Sequence, residues 1–64
     1  MELKAAIVVM SHLSDAEANV LMVNEEMAFK HIKFAKFLIL ESGGDLNKVF
    51  SEDKLNEMWK QVNG

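Results

Sequence analysis

The fold of this chain depends most on residues 22–44, MVNEEMAFKHIKFAKFLILESGG. Asn24 is a typical N-cap residue, and the two glutamates after it favour the positive end of a helix dipole. From there the apolar residues step by three and four as far as Ile39, which is helical spacing. Two glycines follow, and glycine readily takes the left-handed conformation that ends a helix. The stretch therefore predicts one helix over residues 25–41.

The N-terminal third carries a second apolar stripe with the same spacing. Its members are Leu3, Ala6, Ile7, Met10, Leu13, Val20 and Leu21. The stripe keeps its phase past Ser14, so we predict one helix over residues 2–22. Ser14 and Glu17 have the spacing of a capping box, which would instead break the helix at Leu13–Ser14.

The two predicted helices form a hairpin that turns near Val23–Asn24. In this arrangement Leu13 is expected to approach Phe34 or Ala35, and Met10 is expected to approach Leu38. The alternative is one long helix over residues 15–41 with short flanking helices, because the chain contains no proline to interrupt it.

A third helix is predicted over residues 52–62, with Ser51 as its N-cap. Phe50 and Leu55 have the spacing of a hydrophobic staple at its start. Its apolar stripe, which we expect to be buried and to dock the helix on the hairpin, consists of Leu55, Met58, Trp59 and Val62. Before it, Asp45 is expected to cap a short helical turn. The prediction is an all-α fold in a single domain of residues 1–64.

Composition favours self-association. A domain of 64 residues rarely has a core worth more than about 3–5 kcal/mol without a staple. The chain has no cysteine, so neither a disulfide nor a zinc–thiolate site can supply one, and cytoplasmic location is expected. Half of the residues are hydrophobic, yet no apolar run approaches the ~20 residues of a membrane span. We therefore expect a homo-oligomer without a membrane partner.

Ser11, His12 and Asp15 are the residue types of a hydrolase triad, but their spacing argues against one. Adjacent residues on a helix point about 100° apart, so Ser11 and His12 cannot face each other. No glycine-rich turn beside them offers an oxyanion hole or a phosphate loop. We predict no catalytic residue, no cofactor and no enzymatic activity.

Glu17, Asn24 and His31 recur at intervals of seven residues. We interpret Glu17 and His31 as a polar pair that sets the register between helices. A metal ion needs three or four suitable ligands, and this pair supplies two, with His12 more than one turn away. The prediction is therefore that the chain has no metal site.

Lys30, Lys33 and Lys36 step by three and are neighbours on one helix surface. Glu26 lies four residues before Lys30, which is the favourable order for an ion pair. The formal net charge is −3, whereas nucleic-acid-binding domains are usually basic. We interpret the lysines as a solvated stripe and do not expect nucleic acid as the partner.

Apolar residues cover about two thirds of the circumference of residues 20–40, more than one neighbouring helix can cover. The candidate interface residues are Met22, Phe29, Phe34, Phe37, Leu40 and Trp59. The candidate polar or ligand contacts are Glu17, Asn24, Lys30, His31, Lys33 and Lys36.

These patterns favour a non-enzymatic, helix-mediated oligomer that binds, blocks or bridges another macromolecule, and the expected partner is a protein. Small acidic helical proteins of this kind are common among phage and mobile-element accessory proteins, including host inhibitors and minor virion components. Two alternatives are an oligomer that sequesters a small anionic ligand with Lys30, His31 and Lys33, and a small DNA-binding regulator.

Overall fold

The computed structural model describes residues 1–64 as three helices and a small two-stranded sheet. The elements are β1 (Glu2–Lys4), α1 (Ala5–Leu21), α2 (Glu25–Glu41), β2 (Val49–Ser51) and α3 (Glu52–Asn63). The bounds predicted for α2 are confirmed, and those of α3 differ by one residue. The alternative of one long helix over residues 15–41 is wrong, because the chain turns between α1 and α2. None of the three helices combines the length and apolar composition needed to cross a bilayer.

The turn between α1 and α2 is a Schellman motif, as its hydrogen bonds show. The N–H of Asn24 donates to the carbonyl of Asn19 at 2.7 Å. The N–H of Val23 donates to the carbonyl of Val20 at 3.0 Å. This pair of bonds ends a helix and places the residue just after its C-cap, here Val23, in the left-handed conformation. The predicted turn near Val23–Asn24 is confirmed.

The end of α2 uses the same motif with glycine in the left-handed position. Gly44 N–H donates to the Ile39 carbonyl at 3.1 Å, and Gly43 has a φ of 65°. At the end of α1 the equivalent residue is Val23, with a φ of 58°. A left-handed conformation costs a β-branched residue roughly 1–2 kcal/mol. The first turn is therefore strained where the second is relaxed.

Val23→Gly is expected to stabilise the fold by about 0.5–1 kcal/mol, because relief of the left-handed strain exceeds the added entropy of unfolded glycine. The Val23 side chain is 82% exposed, so little packing is lost. Chemical denaturation followed by circular dichroism measures the change. Ala18→Gly, at an exposed position inside α1, is the control and should destabilise by about 1 kcal/mol. A loss of stability in both variants would contradict the strain at Val23.

The two-stranded sheet differs from the all-helical prediction in two segments, residues 2–4 and the residues before α3. Residues 2–4 form β1 rather than the start of a helix, and Leu3 pairs with Phe50 of β2 in antiparallel register. Residues 45–48 form no helix, but Asp45 begins a single hydrogen-bonded turn in which the Lys48 N–H donates to the Asp45 carbonyl at 3.1 Å. The Asp45 Oδ1 accepts a hydrogen bond from the backbone N–H of Asn47 at 3.0 Å, which is an Asx turn leading into β2.

The same loop completes the start of α1. Lys4, the N-cap residue of α1, forms no side-chain cap hydrogen bond. The first helical N–H groups donate instead to loop carbonyls, Ala5 to Lys48 at 2.8 Å and Ala6 to Leu46 at 2.9 Å. The first turn of a helix leaves its N–H groups without partners, so this loop acts as the cap. The start of α1 thus depends on residues forty or more positions away.

A cluster of nine buried residues forms the core, and Phe34 and Leu38 are its largest fully buried side chains. Its members are Ala5, Val8, Val9, Phe34, Ala35, Leu38, Phe50, Leu55 and Met58. Phe50 and Leu55, the two residues of the predicted staple, are both in it. The core therefore joins the sheet and all three helices.

The buried face of α1 is not the one predicted from sequence. The buried residues of α1 are Ala5, Val8, Val9 and Ala16. Met10 and Leu13, which we expected to pack against α2, are 68% and 48% exposed. The two faces lie about 130° apart around the helix axis. Helix separation depends on the side chains at the contact, so alanine and valine let α1 approach α2 closely.

Candidate functional site

A pair of histidines joins α1 to α2 at the edge of the core. Nδ1 of His12 and Nδ1 of His31 lie 2.8 Å apart, and the ring centroids are separated by 5.1 Å. His12 is four residues before Ala16 and so shares the buried face of α1. His31 lies three residues before the buried Phe34 on α2. The packing of the two helices therefore brings the rings together.

Trp59 of α3 packs over both histidines. Its ring stacks on His12 with centroids 5.4 Å apart and planes 24° apart, and its centroid lies 5.0 Å from that of His31. The edge of Phe34 meets the same indole at 5.2 Å. Asn63 Nδ2 also donates to the Lys30 carbonyl at 3.3 Å, which ties the end of α3 to α2. Trp59 docks α3 as expected, but it is half-buried rather than fully buried.

The surroundings of His12 lower its pKa and so favour its uncharged form. Burial lowers the pKa of His12, the neighbouring His31 lowers it further, and the carboxylate of Asp15 partly offsets both effects. A hydrogen bond between two Nδ1 atoms needs one ring to donate and the other to accept, so at least one ring must be neutral. Neutral imidazole is also the form that binds metal ions.

Asp15 completes a group of three potential ligands. One ligand atom from each of His12, Asp15 and His31 lies within 4.8 Å of the others. Asp15 follows His12 by three residues and so lies on the same side of α1. The Asp15 side chain is exposed, whereas both histidines are half-buried. The group thus spans the boundary between the core and solvent.

The histidines open into a cleft between the helices with a volume of about 670 Å³. Its polar lining comes from Ser11, His12, His31, Glu52, Asp53 and Asn56. Glu52 and Asp53 form the first turn of α3 and place carboxylates on the wall opposite α1. A small ion or polar ligand can therefore reach the histidines from solvent.

The pairing expected between Glu17 and His31 is wrong, because His12 occupies that place. Glu17 is exposed and lies five residues after His12, about 140° further around α1. Asn24 performs the role expected of it, since its Oδ1 accepts a hydrogen bond from the Met27 N–H at 3.2 Å and caps α2. His12 follows Val9 by three residues and precedes Ala16 by four, and this second helical stripe is the sequence signal that could have identified the site.

The three lysines do not converge on a ligand. Lys30 Nζ lies 3.6 Å from the carboxylate of Glu26, as the spacing predicted. Lys33 Nζ lies 5.3 Å from the ring centroid of Phe29, a cation–π contact. Lys36 is exposed. His31 is turned toward His12 within the chain. The anionic-ligand site expected from symmetric copies of Lys30, His31 and Lys33 at a subunit interface stays a prediction.

The candidate interface residues divide between core and surface. Phe34 is 1% exposed, so its assignment to an interface is wrong: it faces α1 and α3 inside the core. Phe37 and Trp59 are partly buried against the same cluster. Met22, Phe29 and Leu40 are exposed. Phe29 and Leu40 are eleven residues apart, which places them on one outer side of α2.

A larger exposed apolar surface lies on α1. It consists of Ile7, Met10, Leu13, Val20 and Leu21, and we call these residues the outer face of α1. The face continues into Met22 and Val23 at the exposed tip of the hairpin. Glu17 lies within its arc and forms no ion pair. α1 thus has two apolar faces, of which one is in the core and the other meets solvent.

Comparisons of the chain with protein-family models, curated proteins and solved structures gave no match. Function must therefore be argued from the surfaces and side chains themselves. Two features stand out: the outer face of α1, and the cluster of His12, Asp15 and His31 beside the cleft.

Proposed function

We propose that this protein is a non-enzymatic assembly protein, which forms a homodimer through the outer face of α1 and binds a further protein through α2. The observation that carries the proposal is the second apolar face of α1. Scattered apolar residues on a surface need no explanation, whereas a continuous apolar stripe usually marks an interaction site. A second copy of the chain is the occupant that the following arguments favour.

The energetics of a small domain support self-association. Only 12 of the 64 residues are buried, although half of the residues are hydrophobic. Each square ångström of apolar surface removed from water stabilises by about 25 cal/mol. A stable interface buries about 800 Å² per partner, which is less than a fifth of the 4492 Å² surface of this chain. Dimerisation would thus stabilise a fold that has no disulfide.

Charge favours an antiparallel arrangement of the two α1 helices. In a parallel pair, Glu17 of one copy would lie against Glu17 of the other, and like charges at an interface are costly. A two-fold axis near Met10 instead places Ile7 opposite Leu13 and brings Glu17 close to Lys4 of the other copy. Both Lys4 and Glu17 are exposed. The single charge within the apolar face would then have an opposite partner.

Dimerisation through α1 leaves the outer side of α2 free for a different partner. Phe29 and Leu40 are exposed there, with Lys33 and Lys36 beside them. This surface suits a protein with an apolar patch and an acidic rim. Action in the cytoplasm is favoured by the lack of cysteine.

Met10→Gln combined with Leu13→Gln is expected to weaken dimerisation at least ~100-fold. Each buried apolar side chain contributes about 1.5–3 kcal/mol to the free energy of association. In a two-fold dimer each substitution occurs twice in the interface. Glutamine has a helix propensity close to that of methionine and leucine, so α1 should persist. Sedimentation equilibrium over a concentration series measures the association, against a chain mass of 7.2 kDa.

Leu40→Gln is the matched control, because Leu40 is 79% exposed on α2. It should leave the dimer intact while weakening binding of the protein partner. A stably folded wild-type monomer at every concentration tested would refute the proposal. If Leu40→Gln dissociates the dimer and the double variant of Met10 and Leu13 does not, the dimer interface is on α2 and not on α1.

A further inference from the structure

We propose that His12, Asp15 and His31 form a binding site for a divalent transition-metal ion, with Zn²⁺ as the foremost candidate. The site is independent of the dimer, since all three residues belong to one chain. It replaces the sequence-based expectation of no metal site, which counted only Glu17 and His31 as ligands. Helix packing brings His12 to His31, and Asp15, not Glu17, is the third potential ligand.

The geometry of the cluster is close to that of a metal site. Two nitrogen ligands about 2.05 Å from a tetrahedral zinc ion lie about 3.3 Å apart. The two Nδ1 atoms are 2.8 Å apart and face each other. A small rotation of the rings that lengthens this distance by about half an ångström would admit the ion. The ligand atom of Asp15 already lies within 4.8 Å of both histidine nitrogens. Because this side chain is exposed, it can rotate to bring the carboxylate to the ion. For both rings to bind through Nδ1, the donating ring moves its proton to Nε2 through solvent and remains neutral, and the ion then lies between the two Nδ1 atoms.

The chemistry of the ligands selects the class of metal. Imidazole nitrogen suits zinc, copper, nickel and iron, whereas Mg²⁺ and Ca²⁺ require a shell of oxygen ligands. Two neutral histidines and one carboxylate leave a single positive charge on a bound divalent ion. Glu52 and Asp53 line the same cleft and favour that charge. Three protein ligands leave one coordination position for water on the cleft side.

Surrounding residues keep the ligands in place. Trp59 stacks on His12, and Phe34 meets the edge of the same imidazole with centroids 4.6 Å apart. Such contacts fix ring orientation, which a metal site requires of its surroundings. Trp59 is the only tryptophan in the chain and so reports on events at the site.

The test is a titration of the full chain, freed of metal with a chelator, with ZnCl₂. Isothermal titration calorimetry should show saturable binding of one Zn²⁺ per chain, with a parallel change in Trp59 fluorescence. The Tm should rise with the logarithm of the Zn²⁺ concentration, because the ion binds the folded state. MgCl₂ should have neither effect. Absence of a saturable response to ZnCl₂ would overturn the proposal.

Asp15→Asn and His31→Gln should each weaken Zn²⁺ binding at least ~10-fold, because each removes one ligand. Asp15 is exposed, so its variant should fold normally. Glu17→Gln removes a carboxylate on the same helix outside the cluster and should bind Zn²⁺ like the wild type. The double variant of Met10 and Leu13 should also keep its affinity. Equal affinity in Asp15→Asn and the wild type would overturn the assignment.

Discussion

Phe34→Ala is expected to lower the free energy of unfolding by about 3–5 kcal/mol, the usual cost of truncating a buried phenylalanine. Phe34 is 1% exposed and meets both His12 and Trp59, so the cavity would open where the three helices join. A disulfide-free domain of this size rarely has more than about 3–5 kcal/mol in total. The variant should therefore be largely unfolded at 25 °C by circular dichroism.

Phe29→Ala is the matched control, since it makes the same substitution one and a half turns earlier on α2. Phe29 is 61% exposed, and its ring contact is with Lys33. The expected loss is below about 1 kcal/mol, the value of an exposed cation–π contact. Equal destabilisation by the two substitutions would mean that Phe34 does not occupy the core. A loss confined to partner binding in Phe29→Ala would support the proposed role of α2.

Sequence predicted α2 and α3 well because their end signals are local. Asn24 and Ser51 both accept the hydrogen bonds expected of N-caps, the second from the Lys54 N–H at 3.2 Å. Gly43 and Gly44 end α2 in the conformation expected of glycine. Each signal lies within a few residues of the helix end that it determines, so no knowledge of the tertiary fold was needed.

The start of α1 and the sheet could not be predicted in this way. β1 is three residues long, and Leu3 pairs with Phe50 from the far end of the chain. The N–H groups of Ala5 and Ala6 are capped by loop carbonyls rather than by a neighbouring side chain. Short strands with distant partners leave no periodic pattern, whereas the stripe through Leu3 continued into the helix and suggested a helical start.

The candidate site was missed for a related reason. α1 has apolar residues on two faces, and periodicity predicts burial of the stripe with the larger side chains. The buried face uses alanine and valine, and His12 lies on it with Val8, Val9 and Ala16 as neighbours. His12 and His31 are 19 residues apart, so only the correct choice of face could bring them together. Periodicity alone does not rank two apolar faces.

Trp59→Ala is expected to lower the free energy of unfolding by about 3 kcal/mol, the low end for a tryptophan truncation, because the side chain is only half-buried. The indole contacts His12, His31 and Phe34, so its loss would free α3 from the hairpin and loosen the histidine pair. Chemical denaturation measures the first effect. Weaker binding of Zn²⁺ measures the second, since the rings would lose the surface that orients them.

Trp59→Phe and Gln61→Ala separate packing from recognition. Phenylalanine keeps an aromatic ring at the same position and should recover most of the stability, while Gln61 is exposed on α3 and its truncation should change little. Exposed tryptophans are frequent hot spots for partner binding, so an unchanged stability of Trp59→Ala with a loss of binding would assign recognition to this residue. If Trp59→Ala keeps the Tm of the wild type but loses the protein partner, then α3 rather than α2 is the recognition surface, and the cleft beside Trp59 is where that partner binds.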